Sequence, residues 1–387
     1  MVKTLDTKYI EDKGNGTFRI RFRIPGKNLY FSKQISNSTI DEAIAIRDDA
    51  LKELENKGKI DSTMKVKDCV KLWMEQVVKI KNEGSTIDDK ISKLTNHFLP
   101  YLGNLQMCDV KRNDIQNWIG TLTNKKSMRR NDGTFEKLSS TTIHNVYSIV
   151  RAFFNWASDE DINIINMTPC RKIELPKRKD YEKEILEDMD IDEVIEYILE
   201  LPVQYQCAFL IPLFCGLRRG EVVGLRWKDI NFDKKQIRVK KSLSISKSKG
   251  TDLKLTKSNK ERTVRMNDLI TVLLLQLKEE QNLLKKTLGK NYKKPEMVFT
   301  NDLGYYLSPN SIGNRWRRFR DKHGFKHVTY HGLRASYASL LLHDGISIKE
   351  IQESLGHSEA RTTTKYYTCT YDDDLDRIYN VTNKFHK

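Results

Sequence analysis

The stretch TYHGLRASYA, residues 329–338, sets His331 and Arg334 three positions apart at the start of a helical run. Three apart is a same-face spacing on a helix, so both side chains reach toward one spot. The neighbours Leu333, Ala335, Tyr337, Ala338, Leu340, Leu341 and Leu342 are mostly apolar, so this helix enters a core. A charge carried into a core needs a partner. Something small and negative suits that spot.

Working outward, other pieces of the same half of the chain are odd in compatible ways. GLRRGEVVGLRW, residues 216–227, places Arg218, Arg219 and Glu221 directly after the apolar run AFLIPLFCGL, residues 208–217. Seen alone, Arg218 there caps the helix and pairs with Glu221. TKSNKE puts Lys257 at a strand end and hairpin turn, inside a lysine run where most members are solvated. SIKEIQESLGHS, residues 347–358, reads as a helix boxed by Ser347 and Glu350 and stopped by Gly356, with His357 just past its end. ARTTTKYYTCTY, residues 360–371, offers the adjacent tyrosines Tyr366 and Tyr367, which singly read as packing residues.

Taken in order, GLRRGE, TK, HGLR, LGHS and a tyrosine about ten residues on resemble the tyrosine recombinase family, the phage and transposon integrases. Each motif is weak alone, and five in sequence over residues 216–367 are specific. The resemblance implies that Arg218 and Arg334 hold a phosphate. It implies that Lys257 is the general acid for the leaving 5′-oxygen, and that His331 and His357 aid proton transfer and oxygen contacts. Glu221 braces the first arginine. Tyr367, ten residues after His357, is the implied nucleophile, with Tyr366 the alternative because Cys369 stands where the family pattern often has histidine.

The residue types suit that chemistry on their own terms. A phosphodiester gains negative charge in its pentavalent transition state, and forked guanidinium donors stabilise charge where it develops. A tyrosine hydroxyl can form a covalent ester with phosphorus and release a 5′-hydroxyl. The bond energy stays in that ester, so no cofactor is expected. No HExxH motif points to a metal, and none is expected. The catalytic set would also suit a type IB topoisomerase or a resolvase. A regulator with this fold and no chemistry is the remaining alternative, although it would have no reason to keep every charged member.

Composition points to the same partner. The 387 residues carry a formal net charge of +16, as expected for binding to a polyanion through counterion release. Residues 231–265 alone hold 12 Lys or Arg against three acids. Six scattered cysteines with no CxxC argue against a zinc ribbon or a disulfide framework and for a reducing cytoplasm, and the resemblance implies a bacterial or phage-encoded, nucleoid-associated protein. No apolar stretch is long enough to span a membrane, and the N-terminus lacks a signal-like apolar region.

The expected fold class is multidomain, mainly α with small β-sheets. Residues 1–60 read as a three-stranded sheet plus one helix: FRIRFRI, residues 18–24, alternates apolar and basic, and Thr39 with Glu42 opens a helix closed by Gly58. Arg19, Arg21 and Arg23 share one sheet face and are candidate DNA-binding residues. Residues 63–172 read as helical, with stripes Val66, Val70, Trp73, Val77 and Ile143, Val146, Tyr147, Val150, Phe153, Phe154, Ala157 taken as core. KKSMRRNDGTFEK, residues 125–137, reads as a basic loop, and residues 175–184 as a charged linker. Residues 180–387 form a mixed α/β domain with a lysine-rich hairpin and a C-terminal tail. By resemblance these parts are an arm-type DNA-binding domain, a SAM-like core-binding domain and the catalytic domain. The expected partners are double-stranded DNA at core and arm sites, a homotetramer on it, and a possible directionality factor. The tail LDRIYNVTNKF, residues 375–385, is a candidate element for docking on a neighbouring subunit.

Overall fold

The structure is a computed structural model that describes residues 7–23, 30–56, 62–129, 135–178, 185–186, 188–255 and 261–356. The chain divides into two compact units, Met1–Asp180 and Tyr181–Lys387.

The first unit opens with an antiparallel sheet in the order β1 (Ile10–Asp12), β2 (Phe18–Arg23), β3 (Tyr30–Ile35). Alternation in β2 does what a period of two dictates: Phe18, Ile20 and Phe22 are buried, while Arg21 is exposed. Helix α1 (Ile40–Asn56) starts at the expected capping box. The Thr39 N–H donates to Glu42 Oε2 at 3.0 Å, and the Glu42 N–H donates to Thr39 Oγ1 at 3.3 Å. The proposed stop at Gly58 lies outside the described residues.

The rest of this unit is helical: α2 (Val66–Trp73), a π-turn (Met74–Val78), α3 (Lys79–Lys81), α4 (Gly84–His97), α5 (Leu99–Leu102), α6 (Arg112–Asn124) and α7 (Ser140–Ala157). Every member of the predicted α7 stripe is buried. The earlier stripe breaks at its end. Val66, Val70 and Trp73 are buried, but the next core position is Val78, at 1% exposure, and Val77 is only partly buried. The π-turn inserts one extra residue per hydrogen-bonded ring, so the inward face moves on by one.

Residues 125–137 differ from the expected loop. They contain β4 (Lys126–Arg129) and β5 (Phe135–Lys137), paired antiparallel with Lys126 opposite Lys137. The Asn-Asp-Gly sequence between the two strands is a hairpin signal in the sequence, one that reading the segment by its basic composition passes over.

The second unit is built around α9 (Val203–Cys215), a helix apolar on nearly all sides, preceded by α8 (Asp188–Leu199). Its neighbours are α11 (Asp268–Leu288), α12 (Pro309–His323) and α13 (Tyr330–His343), and α14 (Ile348–Leu355) packs on α13. Burial on all sides follows from composition, because a helix without a polar face must be covered. The short helix α10 (Arg219–Val223) follows α9 directly.

The lysine-rich segment forms two sheets where the sequence suggested one hairpin. The first has the order β10 (Arg262–Arg265), β7 (Gln236–Val239), β6 (Ile230–Asn231), and the second pairs β8 (Lys241–Ser246) with β9 (Gly250–Leu255). The tight turn therefore lies between β8 and β9, where Gly250 takes φ 69. The TKSNKE segment instead links β9 to β10, strands of different sheets. Strand β7 sends Ile237 and Val239 into the core, with Ile237 opposite Val264 of β10 and Val239 opposite Arg262.

Candidate functional site

Helix α9 ends at Gly216, which takes the left-handed φ of 65 and returns its N–H to the Pro212 carbonyl. A Cβ there would stand 2.6 Å from the Tyr337 ring and 2.8 Å from Leu355, so only glycine fits both the backbone and the space. The turn delivers Arg218 to the N-cap of α10 and Glu221 to its third position. Glycines then let the β8–β9 hairpin close on α10. A Cβ at Gly220 would meet Ser242 Oγ at 2.6 Å and the Leu243 carbonyl oxygen at 2.9 Å.

Glu221 is the centre of the site, with its side chain 2% exposed. Its Oε2 accepts the Arg218 backbone N–H at 2.9 Å, and its Oε1 accepts Arg218 Nη1 at 2.9 Å. Arg262, at the start of β10, adds Nη1 to Oε1 at 3.1 Å and Nη2 to Oε2 at 2.7 Å. Arg334 Nη1 lies 3.8 Å from Oε2. Burial pushes the Glu221 carboxyl toward the neutral form, but the bonds and charge of Arg262, with Arg218 behind them, win and hold its pKa at about 2. Three guanidiniums around one carboxylate leave the cluster with excess positive charge. An anion is the natural complement.

The three arginines differ in exposure. The side chains of Arg262 and Arg334 are 8% and 3% exposed, whereas that of Arg218 is 29% exposed. Arg218 Nη2 also donates to the Gly356 carbonyl at 3.3 Å. Arg334 donates from Nη1 to the Gly216 carbonyl at 2.5 Å and from Nη2 to the Leu355 carbonyl at 2.7 Å. Those two carbonyls end α9 and α14, and the helix dipole makes such ends partly negative. A buried arginine here thus finds the partners its burial demands.

His331 is the second residue of α13 and is exposed, while Arg334 lies one turn further on and is buried. Thr329 caps this helix, its Oγ1 accepting the Gly332 N–H at 3.0 Å. The cap of α14 is the expected one, with Ser347 and Glu350 boxed and Gly356 at φ 65. That leaves the carbonyl of Gly356, the residue before His357, on Arg218. Lys257, His357, Tyr366, Tyr367 and the tail from residue 373 lie outside the described residues. Lys257 falls two positions after Leu255 of β9 and five before Arg262.

Arg262 is the residue that sequence reasoning missed. In the sequence it is one of 12 basic residues in a strip. ERTVRM reads locally as a strand, but its pairing with Gln236–Val239 is set across the β8–β9 hairpin and left no short-range mark on Arg262.

In the other unit Arg19 is partly buried and Arg21 is exposed on β2, and Arg23 closes the strand. Among the described residues no group of three or more His, Cys, Asp and Glu could hold a metal ion. Among them, too, no helix is long and apolar enough to cross a membrane.

Comparison with known proteins gives two matching family models. Residues 184–373 match the phage integrase family, and residues 65–123 match the phage integrase N-terminal SAM-like domain. A tyrosine recombinase XerC-like protein of Caldanaerobacter subterraneus subsp. tengcongensis is 26% identical over 353 residues, 87% of each chain. The tyrosine recombinase XerD of Staphylococcus epidermidis is 30% identical over 251 residues, covering 62% of this chain and 76% of that protein. In three dimensions the chain is similar to the Tn1549 transposon integrase solved with transposon right end DNA. The TM-score is 0.63 at 20% identity, over 82% of this chain and 99% of that one.

Proposed function

The chain belongs to the tyrosine recombinase family, and on that premise we propose that it integrates or excises a mobile element through a covalent 3′-phosphotyrosine intermediate. As a member it is a site-specific recombinase that breaks and rejoins DNA strands. The observation that carries the detailed reading is the convergence of Arg218 and Arg334, distant in sequence, on the buried Glu221.

In this reading Arg218 and Arg334 address the non-bridging oxygens of one phosphodiester. Arg218 is the more solvent-facing of the two, and Glu221 fixes its fork. The Tyr367 oxygen attacks phosphorus and forms the phosphotyrosine ester, while the bond to the 5′-oxygen breaks. That oxygen takes a proton from Lys257, and the phenolic proton passes to the His331 and His357 pair. Attack by the 5′-hydroxyl of a second strand reverses the chemistry and frees the tyrosine. Two duplexes have four strands to exchange, so four active copies, a homotetramer on DNA, suit the full reaction.

Residues 1–60 would hold arm-type accessory DNA through Arg19, Arg21 and Arg23, residues 63–172 would bind the core site, and residues 180–387 would perform catalysis. A separate directionality factor and a place on nucleoid DNA in the cytoplasm complete the proposal. The membership of the Tn1549 integrase among its structural relatives supports a transposon or phage setting.

The test is trapping on a nicked suicide duplex carrying the element's own end sequence, in EDTA, with Tyr367→Phe and Tyr366→Phe beside the parent. A covalent adduct lost only in Tyr367→Phe supports the reading, and loss only in Tyr366→Phe moves the nucleophile. Tight binding of a verified site with no adduct overturns it.

A further inference from the structure

We propose that Arg262 is a positioning residue that ties the two segments bearing Lys257 and His357 to the Arg218–Glu221 pair. The inference rests on the recombinase reading above and adds a residue to its machinery. It starts from how this guanidinium spends its donors. Nη1 and Nη2 both go to Glu221, and Nε donates to the Ser354 carbonyl at 2.9 Å. One side chain therefore joins β10 to α10 and to the last turn of α14. Its stem also lies against Gly356, where a Cβ would come within 3.2 Å of Cδ.

The chain positions make this junction more than a structural ion pair. Arg262 opens β10, and the residues before it link back to β9 through the stretch that carries Lys257. At the other end of that stretch, β9 is paired with β8, and β8 lies on the glycines of α10. Arg262 thus fixes the downstream anchor of the lysine segment to the same carboxylate that fixes Arg218. Ser354 and Gly356 lead directly into His357, so the histidine segment begins from the same junction.

A planar fork is needed for this, because two parallel donors to a carboxylate and a third to a carbonyl cannot be supplied by an ammonium. Arg262 itself is nearly buried, and its fork is committed to protein acceptors. It acts on the reaction through other residues. Loss of the junction should leave DNA affinity in place and slow the chemical step, since a misplaced reacting group costs rate more than binding.

The experiment compares the full-length parent with Arg262→Lys, which keeps the charge and loses the fork. Three quantities are read: thermal unfolding, the dissociation constant for a site-bearing duplex, and the single-turnover rate of covalent adduct formation at saturating DNA. The expected result is a cooperative melt, a dissociation constant within about threefold of the parent, and a cleavage rate lower by about tenfold or more. A folded Arg262→Lys protein that cleaves within about twofold of the parent overturns the positioning role and leaves the recombinase reading standing. A parent that binds its site and forms no adduct overturns both.

If Arg262→Lys loses its cooperative melt, Arg262→Gln takes its place, which keeps an amide donor beside Glu221 and leaves that carboxylate with Arg218 and Arg334. Cleavage by this variant at the parent rate overturns the proposal, and cleavage at least tenfold slower with retained DNA affinity supports it.

Discussion

Gly216 presents its carbonyl oxygen to Arg334 Nη1 at 2.5 Å while its own backbone sits at φ 65. One residue therefore stops α9, turns the chain into α10 and receives a guanidinium of the candidate site. Gly216→Ala combines left-handed strain with a Cβ 2.6 Å from Tyr337, and should destabilise by about 2–4 kcal/mol. Gly324→Ala is the control, since φ there is 90 but nothing lies within 4 Å, and it should cost only about 1 kcal/mol. Urea melts of the two variants check this. Equal losses would show that the crowding at Gly216 carries no energy.

Glu221 invites the opposite kind of substitution, one that keeps shape and removes charge. Glu221→Gln leaves three buried or half-buried guanidiniums around a neutral amide, and breaking a buried pair on one side costs about 3–5 kcal/mol. The expected outcome is a large drop in urea midpoint with the slope unchanged. A loss below about 1 kcal/mol would mean that solvent already compensates these arginines in the native protein.

Acid should erase that difference, and the sign can be worked out. The Glu221 carboxyl is held at about 2 in the folded protein against an ordinary 4.5, so the unfolded chain binds its proton first. The stabilisation is complete above pH 4.5 and is lost as pH falls through about 2. Its size from the displacement is roughly 3 kcal/mol. Stability of the parent minus that of Glu221→Gln, measured by denaturant titration from pH 6 down, should be flat to about 4.5 and then shrink. A gap that widens as pH falls would reverse the assignment.

The helical core of the first unit gives a prediction that follows from one inserted residue. Because the π-turn carries Val78 into the position that regular helix spacing gives to Val77, Val78→Ala should cost about 2 kcal/mol and Val77→Ala less than half of that. Thermal melts of the two variants decide it. A larger loss at Val77 would mean that the helix runs regularly through residues 74–78.

What the sequence disclosed and what it hid follow from the range of each signal. Capping boxes at Thr39 and Ser347, the α7 stripe and the alternation in β2 are local, set by residues within one or two turns of each other, and they formed as read. The π-turn is local too, but an apolar run such as Val77-Val78 satisfies either register, so only packing against the rest of the core chooses. Strand pairing failed for a different reason. Gln236–Val239 joins Arg262–Arg265 across the intervening hairpin, and no short-range pattern tells a strand to skip its neighbour. Arg262 was hidden the same way, as one cation among 12 until Glu221 was brought against it. Motif order placed Arg218, Glu221 and Arg334 in one site because the pattern itself records long-range convergence.

The N-terminal strand supports a last prediction, on how the chain reads DNA at its proposed arm sites. In β2 the apolar face of Phe18, Ile20 and Phe22 is buried, so replacing the arginines of the other face should leave the sheet intact. Each phosphate contact released counterions when it formed, and its loss flattens the slope of log K against log salt by about 0.9. Replacing Arg19, Arg21 and Arg23 together by Gln should thus lower the slope on arm-site duplex by between about 1 and 3, according to how many of them touch phosphate. Binding to a core-site duplex should keep its slope. Fluorescence anisotropy over a salt series on both duplexes measures this, and an unchanged arm-site slope would remove β2 from the interface. A loss of sequence preference with little change in slope would instead place these forks on base edges in the major groove, where guanidinium donors match guanine.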